Sequence, residues 1–158
     1  MRKSIVPGGE PDRSVPADEW LDLERVAWVE VSSEAPDHPV EAALIPVRGV
    51  EWRAGGPGPQ TVRLVFDGPR PVRRVWLRFA EPSVARIQEF VLRWATGDVP
   101  RVMREVVRQQ WTFDPRGSVL EIEDYRVELP GVAVLELSIT PDISGGEARA
   151  SLAELRVA

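Results

Sequence analysis

A chain of 158 residues, 43% hydrophobic and 28% charged, has the make-up of one globular domain able to bury its own core. It has no cysteine, so disulfides and thiol chemistry are excluded, and its net charge of -5 argues against nucleic acid as the main partner. No apolar run is long enough for a secretory leader or a bilayer span, so a cytoplasmic protein is the default expectation.

Residues 1–16 hold three prolines and two glycines and read as an irregular arm. Residues 17–26 carry Asp18 and Glu19 where a helix begins, with Trp20 and Leu23 on one face, which predicts a short helix covering one end of the core. Arm and helix, residues 1–25, thus precede a domain of residues 26–158. Ala27 to Ser33 alternates as a strand, and Pro39 is well placed to open one helical turn through Leu44. Residues 49–59 form a Gly- and Pro-rich loop that carries Trp52 and Arg53.

From Gln60 to Phe79 the pattern predicts two half-buried strands split by Gly68-Pro69-Arg70-Pro71. Val62, Leu64 and Phe66 face inward in the first, and Val75, Leu77 and Phe79 in the second, which turns Arg74, Trp76 and Arg78 outward. Ile87 to Thr96 is a further strand, with Phe90, Leu92 and Trp94 in phase. Arg101 to Phe113 fits two periods. Val102, Met103, Val106, Val107 and Trp111 have helical spacing, whereas Val107, Gln109, Trp111 and Phe113 have strand spacing; the β surroundings favour a strand. A turn at residues 114–117 leads to strands over 119–129, 132–140 and 149–157, parted by Pro130-Gly131 and by residues 141–146. About eight strands and no βαβ rhythm predict an all-β sandwich.

The order of these pieces resembles the discoidin, or coagulation factor 5/8 type C, domains and the wider galactose-binding-like family. Ser32-Ser33-Glu34 followed by Pro39-Val40-Glu41-Ala42-Ala43-Leu44 is similar to the family's opening strand and helical turn. Trp52-Arg53-Ala54 resembles its tryptophan segment, and Phe66-Asp67-Gly68 the end of the next strand. Residues 86–96 resemble the strand that leads into a Ser-Asp-Gly turn, and Leu152-Ala153-Glu154-Leu155-Arg156-Val157 the closing strand. The resemblance implies an eight-stranded jelly-roll β-sandwich whose end loops bind sugars, phospholipid head groups or proteins. Where many members hold a calcium ion, this chain has Leu44-Ile45-Pro46, and Glu154 alone is a poor start for six to eight oxygen ligands. No metal and no cofactor are expected.

Candidate site residues follow from composition and from that alignment. His38, Trp52 and Arg53 fall near the loop end, with Trp52 expected to plug the core and Arg53 to reach a ligand. Arg104, Arg108, Gln109, Gln110 and Trp111 cluster guanidinium, amide and indole groups suited to a sugar or carboxylated ligand, and Arg108 and Gln110 are retained as ligand-binding candidates. Arg74, Trp76 and Arg78 would form an exposed protein interface unless the N-terminal segment covers them. Glu121, Glu123 and Asp124 alternate with Leu120 and Ile122 and read as the wet face of a strand rather than a hydrolytic pair. The lone His38 has no nucleophile placed beside it, and one histidine without cysteine makes no zinc site. The expected function is a non-enzymatic module binding carbohydrate, or alternatively a protein partner through the Arg74–Arg78 face.

Overall fold

The computed structural model describes residues 15–46, 50–97 and 102–158. Most of the arm, Gly49 and Arg101 lie outside them.

Short helices α1 (Leu23–Val26) and α2 (Glu41–Leu44) accompany eight strands. These are β1 (Ala27–Val31), β2 (Trp52–Arg53), β3 (Gln60–Ala80), β4 (Arg86–Ala95), β5 (Arg104–Phe113), β6 (Leu120–Thr140), β7 (Ser151–Leu152) and β8 (Glu154–Val157). The ambiguous stretch is a strand, paired along its length with β4. The helix predicted over residues 17–26 is only the turn Leu23–Val26.

Two predicted pairs of strands are instead two long strands. Residues 60–65 and 74–80 do not pair with each other; both pair with β6, the first half against residues 134–139 and the second against 120–126. The Gly68-Pro69 and Pro130-Gly131 segments lie opposite one another where the register slips, between Val65 and Arg74. Proline lacks an N–H and is tolerated at such an irregularity, which bends a strand without ending it.

That bend carries β3 and β6 from one layer to the other. The first layer runs β1-β3-β6-β4-β5, and the second is β8-β3-β6, using the other halves of the two long strands. Val62, Leu64, Phe90, Leu92, Leu135, Leu137 and Ile139 meet Val75, Leu77, Phe79, Leu155 and Val157 in one core. The outward face of the first layer carries the Arg63–Glu136 ion pair at 2.6 Å and the Arg108–Glu89 pair at 2.8 Å.

The outward face of the second layer is not free. Trp76 is 2% exposed and Arg74 is buried, against the expectation of an open Arg/Trp surface. Residues 18–21 cover Arg74. Asp18 binds Arg73 and Arg74, the Trp20 ring lies 5.1 Å from the Arg74 guanidinium, and Leu21 N–H donates to the Val157 carbonyl. Arg74 also donates to Asp124, and Arg78 pairs with Glu154.

Candidate functional site

The loops that follow β1, β3, β5 and β6 gather at one end of the sandwich. Gly58 bridges to Arg149 and Ala54 N–H donates to the Ala150 carbonyl, joining the 32–59 loop to the 141–150 loop. Glu81 N–H donates to Val119, and Arg86 reaches both Glu81 and the Pro141 carbonyl, so the remaining loops are tied to the same end.

Within the first of these loops the chain is pinned by short side chains. Ser32 and Ser33 both donate to Gln60 Oε1, at 2.6 and 2.7 Å, and Ser33 Oγ accepts from the Gly55 N–H. Gly55 admits this approach because a Cβ there would lie 3.1 Å from the Glu34 carbonyl oxygen. Glu34 in turn accepts from the Val40 N–H, setting the start of the turn that continues into α2. Asp37 takes a left-handed φ of 66°, a conformation that aspartate tolerates better than most residues, and so delivers His38 back towards β2.

His38 and Arg53 are neighbours through the backbone: Arg53 N–H donates to the His38 carbonyl at 3.3 Å, and the Arg53 carbonyl accepts from Ala35 at 2.8 Å. Trp52 and Arg53 then point opposite ways, as successive strand residues must. Trp52 is fully buried, with its indole N–H donating to the Ser33 carbonyl at 3.0 Å. The Arg53 side chain is 40% exposed and pairs through one terminal nitrogen with Glu51 at 2.5 Å. Its Nε is buried with no partner among the described residues.

Arg108 and Gln110 lie elsewhere. They share the outward face of β5, the edge strand opposite β1, and both bond Glu89, at 2.8 and 2.9 Å. Arg108 also binds Glu105. These bonds hold the Glu89 carboxyl below its ordinary range, Gln110 contributing most. The amide and guanidinium are committed to their own sheet, which does not bring them to His38 and Arg53.

The carboxylates on the first half of β6 are also placed differently from expectation. Glu121 is fully buried, and its phase, shared with Glu123 and Tyr125, faces the core beside Phe79, Leu77 and Val75. The outward phase holds Ile122 and Asp124. Burial, with Glu123 adjacent, pushes the Glu121 carboxyl up to about 9. Alternation locates two faces without saying which is wet, and here the more polar phase points in. Among the described residues no group of acidic or histidine side chains is arranged to hold a metal ion, and no helix is long and apolar enough to cross a membrane.

Solved structures of similar shape place this architecture. The chain matches the family 32 carbohydrate-binding module of C. perfringens NanJ, solved with galactose, at a TM-score of 0.62 and 18% identity over 87% of this chain and 96% of that one. The corresponding module of AlyQ, in complex with 4,5-unsaturated mannuronic acid, gives 0.61 and 14% over 84% and 95%. A chitosan-binding module from a Paenibacillus sp. IK-5 chitosanase/glucanase gives 0.59 and 16% over 86% and 97%. No protein-family model and no curated protein matches the sequence. The chain has the discoidin-type, galactose-binding-like jelly-roll fold of these modules.

Proposed function

We propose that this chain is a non-catalytic carbohydrate-binding module that takes its ligand at the loop end, against His38 and Arg53. The observation that carries the reading is the state of Arg53. A guanidinium offers five N–H donors in a fixed fork; this one is locked by its backbone beside His38, is half exposed, and has one terminal nitrogen bonded to Glu51. Ring hydroxyls or a sugar carboxylate are the acceptors such a fork recognises. Jelly-roll modules of the same shape have been solved with galactose and with an unsaturated uronic acid, which supports a saccharide as the ligand class. Trp52 supports the site from below rather than stacking on the ligand, because its ring is enclosed.

The face of Arg74, Trp76 and Arg78 lends no support to the alternative of a protein interface, since Trp76 is buried, Arg74 is held by Asp18 and Asp124, and Arg78 by Glu154. Calorimetric titration with galactose and with mannuronate oligosaccharides tests the proposal. Saturable binding by the wild type and its loss in a folded Arg53→Ala variant are expected. Binding unchanged in Arg53→Ala would move the ligand away from this end.

A further inference from the structure

Each layer of the sandwich has two edge strands, and an edge presents a row of unpaired backbone N–H and C=O groups. Among the described residues three of these four edges are guarded. β8 accepts from the Leu21 N–H at its Val157 carbonyl, and its Arg156 donates to the Ala43 carbonyl of α2. The first half of β6 carries Glu121, Glu123, Asp124 and Arg126. β5 carries Arg104, Glu105 and Arg108, and its ladder with β4 slips register between Leu92 and Arg93. Cover, charge and irregularity are the usual means of blunting an edge.

β1 has none of them. Ala27-Trp28-Val29-Glu30-Val31 holds one charge, no proline and no glycine, and pairs with β3 in unbroken register. Its one carboxylate, Glu30, is answered within the chain by Arg63 at 3.9 Å. Trp28, 67% exposed, is the one exposed aromatic among the described residues.

The register decides which backbone groups face outward. Ser32 N–H donates to the Thr61 carbonyl at 3.0 Å, in line with the β1–β3 pairing. Bonded and non-bonded pairs alternate along an antiparallel ladder. Trp28 and Glu30 therefore spend their N–H and C=O groups on β3, and those of Val29 and Val31 point away from it. The Ala27 carbonyl points away too, whereas the Ala27 N–H is taken by the Leu23 carbonyl at the end of α1.

We propose that β1 pairs edge to edge with β1 of a second copy of this chain, antiparallel and centred on Val29, joining the two first layers into one sheet. The outward groups set that centre. Val29 bonds Val29 of the second copy in both directions, and each Val31 N–H donates to the other copy's Ala27 carbonyl, so the N–H that α1 has taken is not needed. Side chains agree with this register. Small Ala27 lies opposite Val31, and Trp28 lies opposite Glu30, so each indole covers the methylenes of a facing glutamate and no like charges meet directly. Antiparallel pairing also brings Arg25, exposed in the last turn of α1, alongside the exposed Glu34 that follows the strand in the other copy. A parallel pair would set Arg25 beside Arg25. A strand of a different protein could meet the same backbone groups, but a copy of β1 brings an Arg25 and a Glu34 that answer each other. Glu24 and Glu41 border the inner side of the strand, and each copy has a net charge of -5, so repulsion keeps the pairing weak.

Sedimentation of the full chain from about 10 μM to about 1 mM is expected to show monomer giving way to dimer, as weak association does over that range. Trp28→Lys, at an exposed position, is expected to leave the fold intact and to weaken dimerisation at least about tenfold by placing a cation in the edge. Amide exchange at the two ends of the range locates the contact. The Trp28 and Glu30 amides, bonded to β3, are expected to be protected at both concentrations. Those of Val29 and Val31 are expected to slow about tenfold in the concentrated sample alone. A monomer at the highest concentration would overturn the proposal and leave the edge to a strand of another protein. A dimer that Trp28→Lys does not weaken, or Val29 and Val31 amides that exchange equally fast at both concentrations, would overturn it too and place the contact on a different surface.

Discussion

Trp52 and Arg53 are adjacent in the chain and separated in role by the alternation of a two-residue strand. The indole fills the end of the core and donates to Ser33, and the guanidinium turns to the loop surface. Removing a buried tryptophan leaves a cavity and an orphaned carbonyl, so Trp52→Ala is expected to cost about 3–5 kcal/mol. Arg53→Ala, which gives up a partly exposed pair, is expected to stay within about 1 kcal/mol of the wild type. Urea unfolding followed by circular dichroism measures both; a Trp52→Ala protein as stable as Arg53→Ala would refute the enclosed role. A large aromatic in a loop of glycine and proline must either plug the core or face a ligand. It was the resemblance to the discoidin domains that favoured the plug, which the enclosed ring bears out. Glu121 was not legible, since nothing in Leu120-Glu121-Ile122-Glu123 states which phase a partner sheet will cover.

The elements show why a punctuation mark in sequence need not end a strand. Glycine and proline at residues 68–71 and 130–131 look like two turns when each run is considered alone. Their effect depends on being opposite each other, a long-range fact that local pattern does not contain. The count of eight strands agreed only because two merged pairs were balanced by the short β2 and the division of the last strand into β7 and β8. Gly131 is the residue the bend requires, with a φ of 70° and Pro69 Cβ 3.9 Å from where its own Cβ would stand. Gly131→Ala is therefore expected to destabilise by about 1–2 kcal/mol. Gly68→Ala meets no atom within 4 Å and needs no left-handed φ, so it should change stability by less than about 0.5 kcal/mol. Guanidinium unfolding of the two variants separates them; equal stability would show that the bend is set elsewhere.

At the scale of the whole molecule, buried and tied carboxyls pull stability in opposite directions as pH changes. Asp18 is held well below the usual carboxylate range, first by its bond to Arg73 and then by that to Arg74. Asp124 is lowered by Arg74, and Glu89 by Gln110 and Arg108. A carboxyl with a depressed folded value stabilises above its unfolded pKa, and that contribution is lost as pH falls through the folded value. Glu121 acts with the other sign. Its folded value of about 9 exceeds the ordinary 4.5, so its contribution is complete below 4.5 and is lost as pH rises from there towards 9. The two trends leave a window near pH 4–5, roughly between the ordinary carboxylate values and the onset of Glu121's cost, where stability is expected to peak. Glu121→Gln keeps an acceptor for Gln88 while removing the titration. It is expected to raise stability at pH 7 by about 1–3 kcal/mol, to change it little at pH 4, and to move the maximum towards neutrality. Thermal unfolding from pH 3 to 9 in low salt, wild type beside variant, reads this directly. Two parallel profiles would mean that Glu121 is ionised in the folded protein at pH 7, with the Gln88 hydrogen bond and the Arg86 charge outweighing burial.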